Sequence, residues 1–296
     1  MIKTYRSYIF CALLFVPLFF VNIKKTHDWG DDFAQYITQA KNIVESLPQA
    51  AGGYISNPDY FLGPTVYPVG FPLLLSAMYL FTGNDIQSFQ YLITACLFLM
   101  CITLFVFYKK YFSSITSLCL LLVFIYNPLI VSFKTEVISD IPFTLLLIVC
   151  VIIYRNFEKN ILLFSILLGI GGGILISVRN IGLVFPIAMG LDAITRFLRE
   201  WKNRSKRMTF LAPFVSLIMM ASYYFFLSKV LFPLPSGIVA YGKILDWDHL
   251  QPVFLKNFSY TLQYSWLSSR ILMWVTGNFC LSSQKHFFSR SCFWEC

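Results

Sequence analysis

The sequence predicts an all-α, polytopic transmembrane helical protein, and three observations carry that expectation. Hydrophobic residues fill 57% of the 296 positions, aromatics 18% and charged residues only 12%, whereas a soluble globular domain is roughly half apolar and a quarter charged. Several apolar runs approach or exceed the roughly 17 to 25 residues that a spanning helix needs. The basic residues fall in short segments between those runs, where they orient membrane helices. The net charge of +9 therefore points to the bilayer and not to nucleic acid. A single soluble core is excluded.

The first run, Tyr8 to Ile23, follows Lys3 and Arg6 as a signal peptide would. No small-x-small cleavage site precedes the acids beyond it, so it reads as a retained first span. A long outer loop, 24–85, comes next. In it Phe33, Tyr36, Ile37, Ala40, Ile43 and Val44 recur at helical spacing. This predicts a short amphipathic helix from Asp32 to Leu47, lying flat against the bilayer. A Gly/Pro-rich connector leads to the apolar stretch Tyr67 to Phe81. Pro68, Gly70 and Pro72 break its first turn and leave about nine apolar residues, too few to cross but enough for a helix lying on or dipping into the membrane.

Further spans are expected near 86–108, 115–133, 138–154, 161–178, 180–198 and 209–232, which makes about seven with the first. Gly169, Gly171, Gly172 and Gly173 lie inside one of them. No strand precedes them and no Gly-Lys-Ser/Thr follows, so they predict close helix packing and not a phosphate loop. Residues 274–296 show neither helical nor strand periodicity. They read as a truncated or frame-shifted end to a transmembrane domain spanning 1–273.

Charge fixes the parity of the crossings. With a cytoplasmic amino terminus and no crossing at 67–83, Lys109-Lys110, Arg155 with Lys159, and the cluster from Arg196 to Arg207 all face the cytoplasm. Asp28, Asp31, Asp32, Glu45, Asp59, Glu136 and Asp140 then face the other side. A crossing at 67–83 would put all three basic groups outside, against the positive-inside rule.

Two acidic groups share the outer face: Asp31 with Asp32 after the first span, and Glu136 with Asp140 between the third and fourth. Charges beside hydrocarbon are costly and tend to mark function. Such carboxylates can act as a general base toward an acceptor hydroxyl, or hold a divalent cation; no metal site is assigned. Each also has a structural reading. Asp140 stands before Ile141-Pro142 and suits a helix N-cap, Asp31 and Asp32 suit a helix N-terminus, and Glu136 suits a solvated loop. Arg179, between two apolar runs at the outer end, defies the positive-inside rule. Either it snorkels to the interface or it pairs with an anion such as a lipid phosphate.

Other polar residues are less telling. Lys24 and Lys25 suit interfacial anchors, and Asp246-Trp247-Asp248 suits a surface loop able to touch a sugar or an ion. The five cysteines inside apolar runs behave as small hydrophobes. No Cys/His spacing suggests zinc, and none suggests a disulfide framework.

Taken together, these residues resemble the GT-C superfamily of integral membrane glycosyltransferases, most closely the branch of protein O-mannosyltransferases and lipid A aminoarabinose transferases. That family's first outer loop opens with an acid, then an aromatic four residues later, then Ala and Asn, as do Asp32, Tyr36, Ala40 and Asn42. Tyr67 to Leu75 resembles its Pro-rich membrane-dipping helix, and Ser139-Asp140-Ile141-Pro142-Phe143 its second acidic turn. Arg179-Asn180-Ile181-Gly182 resembles the basic residue before a following span.

The resemblance implies transfer of a sugar from a polyprenyl-phosphate donor to a glycan, lipid or protein acceptor at the outer face of the cell membrane. Asp32, with Asp31 beside it, would be the catalytic base, Asp140 and Glu136 would support the acceptor or a metal, and Arg179 would bind the donor phosphate. Some members place a Lys before the Pro-rich helix; Tyr67 stands nearest here, which leaves more of the phosphate to Arg179. Members also usually have more spans and a further carboxy-terminal portion. The rival readings are a lipid or sugar transporter and a non-catalytic remnant. A transporter places charges near the bilayer midplane on broken helices, whereas these acids stand at span ends.

Overall fold

The computed structural model describes residues 2–25, 32–51, 66–155, 161–200 and 207–232, and every regular element among them is helical. All belong to the unit Met1–Ser236. The Asp246–Asp248 segment, the three histidines and the 274–296 tail lie outside the described residues.

In chain order the helices are α1 (Ile2–Phe15), α2 (Phe33–Val44), α3 (Gly70–Thr82), α4 (Ile86–Tyr108), α5 (Ser114–Ile125), α6 (Pro128–Phe133), α7 (Asp140–Arg155), α8 (Ile161–Val178), α9 (Val184–Glu200) and α10 (Arg207–Phe225). Among the described residues, three stretches are long and apolar enough to cross a membrane: Ile86–Tyr108, Asn180–Arg199 and Ala212–Leu231. Ile9–Phe19, Gly70–Thr82, Ser114–Ile125 and Leu162–Val178 are shorter apolar helices. Large apolar side chains cover the outside of the bundle. On α9, Val184, Ile187, Leu191, Ile194 and Leu198 form an exposed stripe while Phe185, Met189 and Ala193 are buried behind it. An apolar outer face of that extent suits a lipid environment better than water.

The expected span 115–133 is broken. Pro128 occupies the first turn of α6, and the Asn127 side chain accepts from the Leu129 N–H at 2.9 Å as its cap. Proline lacks the N–H and disfavours helix in the residue before it, so α5 stops at Ile125. Its 12 residues reach about 18 Å, well short of the hydrocarbon thickness. Pro17 acts similarly near the start of the chain, where α1 gives way to a 3-10 turn over Val16–Phe19.

A second correction concerns α2. Its apolar face was expected to lie on the bilayer, but Phe33, Tyr36, Ile37 and Ala40 are buried in the same core as Phe71 and Leu75 of α3. Periodicity reveals that a helix has one apolar face; it does not reveal whether protein or lipid covers it. Polar ties reinforce the packing. The buried Gln39 side chain accepts from the Tyr67 N–H at 3.0 Å and donates to the Tyr67 carbonyl at 3.1 Å. Asn42 donates to the carbonyls of Pro48 and Ala51, each at 3.2 Å, closing the turn after α2.

The glycines of α8 pack as expected. A Cβ on Gly169, Gly172 or Gly173 would come within 2.5, 2.5 and 2.6 Å of Met219, Met220 and Tyr223 of α10, so the two helices approach where side chains are missing. Gly70, which opens α3, lies equally close to Ser177 at the end of α8: a Cβ there would stand 2.7 Å from the Ser177 carbonyl carbon.

Charged side chains make contacts at both ends of the helices. Arg179 and Asp140 join the end of α8 to the start of α7. At the opposite ends of α4 and α7, the Arg155 guanidinium stands 5.7 Å from the Tyr111 ring. Asp192 of α9 accepts from the Tyr154 hydroxyl and pairs with Arg196 at 2.9 Å.

Candidate functional site

Three helix starts and one helix end build the candidate site. Asp32 stands at the N-terminus of α2 with helical backbone angles, φ −58° and ψ −14°, and its carboxylate does not cap its own helix. Its carbonyl takes the Tyr36 N–H at 3.2 Å, which puts Tyr36 one turn on and on the same face. Tyr36 is only 4% exposed. Its ring lies 4.5 Å from that of Tyr67 and 4.9 Å, edge-on, from that of Phe71. Its hydroxyl shares a hydrogen bond of 3.2 Å with the Ser139 hydroxyl, so this one phenol ties α2 and α3 to the turn before α7.

Asp140 is the first residue of α7. Its carboxylate pairs with Arg179, and the Ser139 carbonyl accepts the Phe143 N–H at 2.9 Å. Arg179 is extended, φ −149° and ψ 138°, between α8 and a 3-10 turn over Asn180–Leu183. Both charged side chains are more than a third exposed, at 36% for Arg179 and 44% for Asp140. Solvent screening then limits the pair to about 0–1 kcal/mol.

The electrostatic setting of Tyr36 shows how near these groups lie. Burial pushes its phenol up to about 12. The Ser139 hydrogen bond pulls it down, Asp32 raises it, Arg179 lowers it and Asp140 raises it. The phenol therefore stays neutral and can donate or accept a hydrogen bond at any physiological pH. Asp32, Asp140 and Arg179, far apart in sequence, come together around one buried tyrosine.

Two other expected site residues do not join them. Asp31 lies outside the described residues. Glu136 accepts from the Ser132 hydroxyl at 3.3 Å and makes no ion pair with Arg179. Among the described residues no group of three or more His, Cys, Asp or Glu side chains is placed to hold a metal ion. One of the two nearby carboxylates is also already matched by a guanidinium. Among the described residues, this donor set does not fit a divalent cation.

Sequence reasoning passed over Lys134. It is wholly buried in the turn between α6 and α7, and its ammonium donates to the Val21 carbonyl. Burial lowers its pKa to about 8. The Lys24 N–H donates to the Gln90 side chain at 3.0 Å, so the segment leaving α1 is held at two points. The anomaly that singled out Arg179, a basic residue on the acidic side, marks Lys134 as well. No protein-family model, curated protein or solved structure matches the chain, and the functional reading rests on these residues.

Proposed function

We propose that the chain is a membrane glycosyltransferase moving a sugar from a polyprenyl-phosphate donor to an acceptor hydroxyl at the outer face of the cell membrane, with inversion. The observation that carries this reading is the convergence of Asp32, Asp140 and Arg179 on Tyr36. It supplies a base and a phosphate-binding cation at the ends of apolar helices, where a lipid-borne donor presents its headgroup. Asp32 takes the proton of the acceptor hydroxyl. The acceptor oxygen bonds to the anomeric carbon from the face opposite the phosphate, and the bond from that carbon to the phosphate oxygen breaks. Its electron pair leaves with the polyprenyl monophosphate, whose charge Arg179 balances. Asp140 orients the acceptor.

In this reading the amino terminus is cytoplasmic. The four shorter apolar helices supplement the three long ones in a GT-C-like arrangement of about seven crossings and dips. Asp32→Asn keeps the size and removes the base. In the full chain reconstituted with a polyprenyl-phosphate sugar and a hydroxyl acceptor, it should lower the transfer rate by about 100- to 10,000-fold while membrane insertion persists; unchanged transfer would remove Asp32 from the mechanism. Reporter fusions after Tyr111 and Arg207 should be active in the cytoplasm, and one after Asn57 outside. An outer signal at Arg207 would overturn the orientation.

A further inference from the structure

We infer that the Asp140–Arg179 ion pair is a latch on the anion site: an arriving phosphate takes Arg179 from Asp140, and binding thereby releases the Asp140 carboxylate. This rests on the glycosyltransferase reading and goes beyond it by making the two groups competitors.

The charge balance points to competition. Asp32 and Asp140 both act on Tyr36 with the sign opposite to Arg179, so two carboxylates and one guanidinium lie about the same phenol, and one of the carboxylates already holds the guanidinium. A phosphate entering with the pair intact would meet an excess of negative charge. A phosphate that displaces Asp140 meets a freed guanidinium, whose fork matches phosphate oxygens bidentately. Displacement does not strand Asp140, because it stands in the first turn of α7, where the helix N-terminus favours a carboxylate.

The rest of the site confines the change to side chains. The Arg179 N–H donates to the Leu175 carbonyl at 3.2 Å, and the Arg179 carbonyl accepts from Gly182 at 2.8 Å. A Cβ on Gly182 would stand 2.7 Å from the Leu175 carbonyl oxygen, and one on Gly70 would stand 2.7 Å from the Ser177 carbonyl carbon. The backbone on both sides of Arg179 is therefore clamped by close packing. The guanidinium and the Asp140 carboxylate, both partly exposed, are free to exchange partners by rotamer change.

The test is binding of a short-chain polyprenyl phosphate without sugar to the purified full chain in detergent micelles, followed by calorimetry. The wild type should bind. Asp140→Asn and Asp140→Ala should each bind about two- to fivefold tighter, the weight of a partly exposed ion pair, and Arg179→Gln should lose binding. Thermal unfolding of each variant confirms that it is folded, and the two Asp140 variants guard against loss of either one. Equal or weaker binding by both folded Asp140 variants would overturn the latch and make Asp140 a support for Arg179. So would binding that needs magnesium in the wild type and is lost with Asp140. Absence of binding by the wild type would instead count against the glycosyltransferase reading on which the latch stands.

Discussion

Gly70→Val is expected to destabilise the protein by about 1–3 kcal/mol, the usual cost of forcing atoms into a filled contact, and to impair phosphate binding as well. The obstacle is backbone. A Cβ at Gly70 would come within 2.7 Å of the Ser177 carbonyl carbon and 2.8 Å of its oxygen, and a carbonyl inside α8 cannot rotate away as a side chain can. The start of α3 or the end of α8 must move, and Arg179 follows Ser177 by two residues. Gly190→Ala is the matched control, since its Cβ would meet only the tip of Leu217 at 3.7 Å, ordinary contact. There the gain in helix propensity should leave stability unchanged or raise it. Thermal unfolding of both variants in the same detergent checks the contrast. Equal melting temperatures would show that the α3–α8 approach is looser than described.

A pH dependence centred on Lys134 is the second large effect. Burial lowers this ammonium from its ordinary 10.5 to about 8. Between those values the unfolded chain binds a proton that the folded chain has released. Stability therefore rises as pH climbs from about 8 to about 10.5, by up to about 3 kcal/mol, and below pH 8 the cost of burying the charge is fully present. Lys134→Met fills the same space without a titrating group. The difference between wild type and variant isolates Lys134 from tyrosines and other lysines that titrate in the same range. Wild-type unfolding should move to higher denaturant across this window relative to the variant. Parallel curves would mean that the ammonium is solvated in the folded protein.

The residues that could be found from sequence were those whose chemistry contradicts their surroundings. Asp32, Asp140 and Arg179 are charges beside apolar runs, and that anomaly is local. The Pro-rich start of α3 and the glycines of α8 were legible for a similar reason, because backbone restriction and missing side chains act on nearest neighbours. The break at Asn127-Pro128 was equally local. It was hidden by the high overall hydropathy of 115–133, although Asn127 and Pro128 mark it, and there backbone geometry outweighed hydropathy.

Pairing was not legible. Arg179 and Asp140 each have an adequate solitary explanation, snorkelling for one and capping for the other, and nothing local says that they meet. Ser139 looks like part of a turn until the Tyr36 hydroxyl reaches it, and Gln39 looks like a surface polar residue until Tyr67 folds onto it. The wrong partner for α2 has the same origin: its apolar face is written in the chain, but α3 comes to it from across a connector.

Sequence by itself determined that the chain is helical and apolar enough for a membrane. Those properties follow from composition, period and spacing, which depend on residues a few positions apart. Only the tertiary structure decided that the Tyr36 hydroxyl meets Ser139, that the Arg179 guanidinium already holds the Asp140 carboxylate, and that Lys134 is buried. Each of these depends on which helix ends are brought together, and packing between distant segments settles that.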